Sequence, residues 1–141
     1  MRKIKAALRM DGRAILAFVC DGERPSLEDV AMTVTTRAQW QEHFEGYQPP
    51  YVHVQPETYV TTAAAAGLNV VENSVTDLSW DFRTPDAFAA WCRAGFAAWT
   101  ERLPADEADA FVDDVLTDYA SVVGSQQVLS FLLQRVVMLP Q

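Results

Sequence analysis

The sequence predicts an α/β domain built on a small three-stranded sheet, and three observations lead to this prediction. Stretches with helical periodicity alternate with apolar runs of strand length along the chain. The run from Ala14 to Cys20 has no polar side chain on either face, which is typical of a strand buried within an α/β sheet. The last run, Val128 to Leu139, is apolar apart from Ser130, Gln134 and Arg135, so we expect it in the interior of the sheet.

Length and charge limit the classes of partner. The chain has 141 residues, half of them apolar, which is enough for one compact domain with its own core. Its net charge of -8 disfavours nucleic acids and anionic membranes, because an acidic surface repels phosphate groups. No apolar run approaches the roughly 20 residues that a membrane-spanning helix needs. We therefore expect a globular protein that binds neither nucleic acid nor a membrane.

The basic start "MRKIK" and the apolar "AILAFVC" together have some features of a signal peptide. Arg9, Asp11 and Arg13 interrupt the apolar stretch, and no small-residue cleavage site follows it. The two cysteines, Cys20 and Cys92, have no second Cys or His at metal-binding spacing, so they are interpreted as buried, reduced thiols. These features favour a cytoplasmic protein without a disulfide or a metal site.

The first elements form a helix end, a turn and a strand. Residues Arg2–Leu8 have the pattern of the last turns of a helix, and Asp11-Gly12 supplies a tight turn before the apolar strand. The strand ends in the polar sequence "CDGERPS". In open α/β sheets ligands bind beyond the carboxyl ends of the strands, so this loop is a candidate ligand-binding segment.

Residues 24–54 are predicted to form a helical lid inserted into the domain. Ser26 can cap a short helix, and Thr36 with Gln39 predicts a capping box for a second one. "QPPYVHV" is predicted to be extended, because proline disfavours helix in the residue before it. The segment also contains several aromatic residues and both histidines, His43 and His53.

The remaining elements begin with a helix at Pro56–Ala66, which Gly67 ends. The sequence then predicts a long strand, Leu68–Phe82, with a bulge near Thr76-Asp77. Thr84 caps the next helix, which has an apolar face. That face is predicted to contain Phe88, Trp91, Gly95, Phe96, Trp99 and Leu103. After Pro104 an acidic amphipathic helix runs to Gly124, and the last strand follows.

The order of these elements and several motifs resemble the C-terminal half of class I S-adenosylmethionine-dependent methyltransferases, in particular the group that includes trans-aconitate methyltransferase. "ALRMDGRAIL" is similar to that family's lead into its fifth strand, and "QPETYVTTAAAAGLNVV" to the helix and strand after its lid. "WCRAGFAAWTERLPADEADAF" is similar to its Trp-x-Arg helix, and "VLSFLLQRVVML" to its last strand. The resemblance covers nearly all 141 residues.

The resemblance implies a truncated Rossmann-like α/β fold. Its small mixed sheet would have the strand order 5-7-6, with the last strand antiparallel between the family's fifth and sixth strands. Residues 1–141 would form a single domain, the C-terminal portion of the methyltransferase fold, with the lid at 24–54 inserted in it.

The family binds S-adenosylmethionine with a glycine-rich loop after its first strand and an acidic residue that ends its second. This chain has six glycines, no two of them in a G-x-G spacing, and the family's first four strands have no counterpart in it. The resemblance therefore assigns no cofactor-binding residue here, and we expect this chain alone not to bind the cofactor tightly.

The candidate site residues are arginines, aromatic residues and a histidine. An arginine fork suits a carboxylate acceptor, aromatic rings can wall an acceptor pocket, and a histidine can orient an acceptor. Each also has a structural interpretation: a solvated or ion-paired arginine, an aromatic ring packed in the core, or a histidine without a role. The predicted substrate-binding residues are Arg24, Trp40, Tyr47, Tyr51, His53, Arg93 and Arg135. No catalytic or metal-binding residue is assigned.

Two functions remain open. The chain is either the acceptor-binding part of a small-molecule methyltransferase, inactive without an N-terminal half, or a free-standing binding or oligomerisation module without catalysis. In either case the strand Ala14–Cys20 lacks its expected neighbour, and an open strand edge tends to pair with another chain. We therefore expect a homodimer, or a complex with a missing N-terminal half, through this edge.

Overall fold

The computed structural model describes residues Met1–Gln141 and contains six α-helices, one 3-10 helix and three strands. The helices are α1 (Arg2–Ala7), α2 (Leu27–Val34), α3 (Pro56–Ala65), α4 (Pro85–Gly95), α5 (Ala97–Thr100) and α6 (Ala108–Val123), with the 3-10 helix at Gln41–Phe44. The strands are β1 (Ala14–Val19), β2 (Leu68–Asp81) and β3 (Val128–Pro140). None of the helices combines the length and the apolar character that crossing a membrane requires.

The three strands form one sheet in the order β1-β3-β2. β3 pairs antiparallel with β1, with Ala14 opposite Met138 and Val19 opposite Leu133. The whole sheet is antiparallel, so the prediction of a mixed sheet is wrong. The central position of the last strand is as predicted, and because the central strand runs against both neighbours, no two adjacent strands are parallel.

β1 lies at an edge of the sheet and is not covered on both faces. Ile15 is 54% exposed, and Ala17 is also exposed, whereas Leu16 and Phe18 pack against the core. The apolar character of both faces had indicated a strand enclosed by two layers. In the structure only the face bearing Leu16 and Phe18 has such a cover.

The chain divides into two compact units. The first unit contains residues 1–23, 53–78 and 131–141, and the second contains residues 24–52 and 79–130. The core of the first unit is formed by Ala63, Leu68, Val136 and Met138, with α1 side chains packed against it. The segment predicted as a lid thus contributes most of its residues to the second unit.

The second unit has a larger, aromatic-rich core, and α6 packs against both α2 and α4. Phe88, Phe111 and Tyr119 are each at most 1% exposed there. Cys92 is fully buried, whereas Trp91 is 46% exposed, so the predicted inward position of Trp91 is wrong. Phe88 and Cys92 lie about one turn apart on the buried face of α4, whereas Trp91 lies beside that face with its ring against Phe82 and Phe88.

Most of the predicted helix caps are present in the structure. Ser26 forms a capping box with Asp29, Thr84 accepts a hydrogen bond from the Ala87 N–H, and Gly67 has a positive φ of 74° just after α3. The capping box predicted at Thr36 is absent, because the Thr36 hydroxyl donates back to the Thr33 carbonyl. Only the 3-10 helix forms in that stretch.

Candidate ligand-binding residues in the two units

The carboxyl end of β1 is a polar turn held by hydrogen bonds to the start of α3. The Asp21 N–H donates to the Val54 carbonyl at 3.2 Å. The Asp21 carboxylate accepts from the Gly22 N–H on one oxygen and from the Gln55 side-chain amide on the other, each at 2.8 Å. Each carboxylate oxygen has two lone pairs, so Asp21 retains capacity to accept an N–H or O–H group from a ligand.

Gln134 is a fully buried polar residue in the central strand of the first unit. Its amide nitrogen donates to Asn73 Oδ1 at 2.7 Å and to the Pro56 carbonyl at 3.2 Å. Its Oε1 is buried and has no hydrogen-bond partner. A buried carbonyl oxygen of this kind favours a donor group placed against it, because leaving it unpaired costs about 1–3 kcal/mol.

Two of the predicted residues, His53 and Arg135, lie in the first unit. Arg135 forms an ion pair with Glu72, and both side chains are more than 40% exposed. His53 is half-buried in the extended segment before α3. Because Glu72 neutralises it, Arg135 offers an acidic ligand less attraction than a free guanidinium would.

The predicted residues Trp40, Tyr47 and Tyr51 lie in the second unit. Trp40 is 5% exposed, its indole N–H donates to Asp114 at 2.9 Å, and its ring stands edge-to-face on Phe111. These contacts account for the whole of the Trp40 side chain, which forms part of the core.

The two tyrosines hold the segment 45–52 to neighbouring elements of the second unit. The Tyr47 hydroxyl donates to the Ala98 carbonyl at 2.8 Å, and the Arg102 guanidinium lies 4.8 Å from the centre of the Tyr47 ring. Burial raises the pKa of Tyr47, and the nearby Arg102 partly opposes this effect. The Tyr51 hydroxyl donates to Asp29 at 2.8 Å.

Arg93 lies in an open groove of about 410 Å³ between α4 and α6. Its Nε donates to Asp109 at 2.9 Å and its Nη2 to Asp113 at 2.8 Å. Asp86 and Asp113 also line the groove. Since carboxylates outnumber the single arginine there, the groove suits a neutral or cationic ligand better than an acid.

Arg24 and His43 complete the set of candidates. Arg24 is close enough to Tyr119 to lower the pKa of that phenol, although burial is the larger effect and raises it. His43 Nε2 lies 3.4 Å from the Glu107 carboxylate. The predicted residues are therefore divided between the units: five lie in the second, namely Arg24, Trp40, Tyr47, Tyr51 and Arg93.

Sequence reasoning identified the loop after β1 as a candidate ligand-binding segment but assigned no role to Asp21 or to the glutamines of the first unit. Asp21 could have been found from its position directly after an apolar strand. Gln55 and Gln134 gave no such signal, because their partners lie far away in the sequence.

The glycines do not fit S-adenosylmethionine binding of the family's kind. Gly22 is the glycine that follows β1, and a Cβ there would lie 2.2 Å from the end of the Leu132 side chain, so Gly22 packs closely against β3. Gly67 and Gly124 have positive φ angles at helix ends. None of these glycines opens a helix directly after a strand, so they do not form a cofactor-binding loop of that kind.

No group of three or more His, Cys, Asp or Glu side chains is arranged to hold a metal ion. In comparisons with known proteins, no protein-family model matches the chain, and no curated protein matches it significantly.

Proposed function

We propose that the chain is the acceptor-binding, C-terminal part of a class I S-adenosylmethionine-dependent methyltransferase that acts on a small molecule. The observation that carries this proposal is the strand order β1-β3-β2, with the last strand of the chain antiparallel between the other two. This is the arrangement that the resemblance to the trans-aconitate methyltransferase group implies for the end of the sheet.

In this function the chain binds and orients the acceptor but does not catalyse by itself. Methyl transfer depends on positioning the acceptor in line with the sulfonium group, so a chain without the cofactor loop is inactive. S-Adenosylmethionine would be held by an N-terminal half that covers the open edge of β1. The chemistry of Asp21 favours an acceptor with hydroxyl or amino groups, since its half-buried carboxylate offers hydrogen-bond acceptors.

The proposed location is the cytoplasm. Both cysteines are buried and unpaired, and burial raises the pKa of each thiol, to about 12 for Cys92. Reduced thiols are the usual state of cysteines in that compartment.

The alternative is a free-standing small-molecule-binding or oligomerisation module without catalysis. Two observations favour it: the glycines serve packing and helix ends, and the edge of β1 is open to a second chain. The two functions differ in what covers this edge, an N-terminal half in the first and a second copy in the alternative.

A titration followed by amide NMR spectra tests acceptor binding and the proposed need for an N-terminal half. The probes are trans-aconitate, the acceptor that the resemblance suggests, glycerol as a neutral polyol, and S-adenosylmethionine. The first function predicts shifts at the amides of residues 20–24 with an acceptor probe at millimolar concentration and no saturable binding of the cofactor.

Asp21→Asn is the matched variant, because it keeps the shape of the side chain and removes its charge. We expect it to weaken binding of a hydroxyl-bearing probe several-fold. The absence of shifts with both acceptor probes would contradict the acceptor-binding function and leave only an oligomerisation module. Saturable micromolar binding of S-adenosylmethionine would contradict the proposed need for an N-terminal half.

A further inference from the structure

The backbone of β1 has a row of hydrogen-bonding groups that β3 does not use. The Cys20 N–H donates to the Leu132 carbonyl at 3.0 Å, and Cys20 continues the register in which Phe18 pairs with Gln134. In an antiparallel ladder hydrogen-bonded pairs recur at every second residue. The even-numbered residues of β1 therefore bond to β3, and Ile15, Ala17 and Val19 direct their N–H and C=O groups away from the sheet.

Residues 14–19 of this edge have none of the features that normally protect an edge strand, and the edge is covered only beyond them, where the Asp21 N–H donates to the Val54 carbonyl. β1 reads AILAFV, without a charged residue or a proline, and Ile15 and Ala17 are exposed. The opposite edge strand, β2, carries Glu72, Asp77 and Asp81 along its length. Charged side chains on an edge strand oppose pairing with another chain, so β1 is the more open of the two edges.

The net charges at the two ends of β1 have opposite sign, because Arg9 and Arg13 outnumber Asp11 before the strand. Arg13 precedes the strand and is exposed, and Arg9 lies further back on the same side; neither has an ion-pair partner. Asp21 and the exposed Glu23 follow the strand. The hydrogen bonds that Asp21 accepts come from neutral donors, so its charge is not neutralised.

This distribution makes the segment 13–23 complementary to itself in the antiparallel sense only. When two copies run antiparallel, the positive start of each lies beside the negative end of the other. When they run parallel, like charges lie side by side. The basic α1 helices of two antiparallel copies lie at opposite ends of the paired strands, about 20 Å apart, which exceeds the screening length of about 8 Å at physiological salt.

We propose that β1 pairs antiparallel with β1 of a second copy of this chain, forming a two-fold symmetric dimer with a continuous six-stranded sheet. Ile15, Ala17 and Val19 supply the backbone hydrogen bonds, and Arg13 of each copy faces the Asp21–Glu23 end of the other. The dimer closes on itself, because a two-fold interface uses the same edge of both copies. This inference rests on the alternative function above and does not depend on methyl transfer.

The first test is sedimentation equilibrium of the 141-residue chain over a range of concentrations. A single strand pair buries little surface, so we expect a reversible dimer with a Kd on the order of 10 µM. A chain that remains monomeric at millimolar concentration overturns the proposal, as does assembly that continues beyond the dimer.

The second test uses proline at two adjacent positions. Ala17→Pro removes an outward N–H and breaks no bond to β3, so we expect a folded chain that dimerises at least ten-fold more weakly. Phe18→Pro removes an N–H that bonds to Gln134, so we expect it to disrupt the sheet itself. Unchanged dimerisation of a folded Ala17→Pro chain contradicts the assignment of this edge.

The third test remains informative if the proline variant does not fold. By symmetry Arg13→Glu places like charges together at both ends of the dimer, and so does Glu23→Arg. We expect each to raise Kd by about 3- to 10-fold at low salt.

The double variant keeps the net charge of -8 and should return Kd to within about three-fold of the original. If both single variants raise Kd and the double variant does not return Kd toward the original value, the antiparallel arrangement is overturned. The ligand titrations proposed above use different readouts, so a failure there is distinguishable from a failure here.

Discussion

Replacing Tyr119 by phenylalanine tests whether one hydroxyl group holds α6 to the start of β3 in the second unit. Tyr119 is fully buried. Its hydroxyl accepts a hydrogen bond from the Ser130 N–H at 2.9 Å and donates one to the Ser130 carbonyl at 3.0 Å. Phenylalanine keeps the aromatic ring, so no ring-sized cavity forms and the substitution removes these two hydrogen bonds and little else.

The expected cost follows from those two bonds. Each contributes about 0.5–1.5 kcal/mol net, and a buried group that loses its partner costs about 1–3 kcal/mol. Ser130 is only half-buried, so water can reach part of its backbone. We therefore expect Tyr119→Phe to lower the free energy of unfolding by about 2–3 kcal/mol.

The assay is urea denaturation followed by tryptophan fluorescence. All four tryptophans lie in residues 24–52 and 79–130, so their fluorescence reports on the second unit alone. Tyr47→Phe is the matched control, because it removes a single bond to the Ala98 carbonyl on the surface and should cost less than about 1 kcal/mol. Equal losses in the two variants would refute the reasoning, since they would mean that burial of the bonded groups has no effect.

Three further predictions concern a helix cap, a thiol and a glycine. Ser26→Ala removes the hydroxyl of the capping box on α2 and should lower the unfolding free energy by about 1 kcal/mol in the same assay; an unchanged value would mean that the cap does not stabilise the fold. Burial raises the pKa of Cys92 from 9.0 to about 12, so the folded state disfavours the thiolate, and stability present below pH 9 is lost as the pH rises toward 12. Denaturation at several pH values should show that the free energy of unfolding falls less steeply with pH in Cys92→Ala than in the original chain. Parallel pH dependences of the two proteins would contradict this. Gly67→Ala places a side chain at a φ of 74° and against Lys5 Nζ, so it should lower the free energy of unfolding of the first unit by more than about 1 kcal/mol, measured by circular dichroism. Adding Lys5→Ala should recover only part of that free energy, and full recovery would exclude a contribution from the backbone.

Features that depend on neighbours in the sequence were predictable. Ser26, Thr84 and Gly67 act within one turn of a helix end, so the residue types alone locate those ends. The order of the strands was also correct, because the resemblance placed the final apolar run at the centre of the sheet.

Features that depend on distant contacts were not predictable in the same way. The burial of Cys92 in place of Trp91 depends on which face of α4 meets α6, and helical periodicity does not decide this between two adjacent apolar residues. The capping box at Thr36 fails because both of its side chains bond elsewhere, Thr36 to the Thr33 carbonyl and Gln39 to Asp114 on α6.

The candidate site was the least predictable part. The predicted site residues were mostly arginines and aromatic residues, whose side chains are chemically distinctive in a sequence. In the structure Trp40 and Arg93 are held by carboxylates of α6, the helix that the sequence predicts to be acidic and amphipathic. Asp21 and Gln134 are less distinctive in type, and only the contacts with the start of α3 reveal them.

The pairing of β1 with β3 has a consequence for synthesis on the ribosome. Ala14 pairs with Met138, so β1 emerges long before the strand that completes it. During most of translation both edges of this uncharged strand are unpaired, and contacts between residues so far apart in sequence form slowly. We therefore expect nascent chains to depend on chaperones that cover short apolar segments, and expression at lower temperature to increase the yield of correctly folded protein.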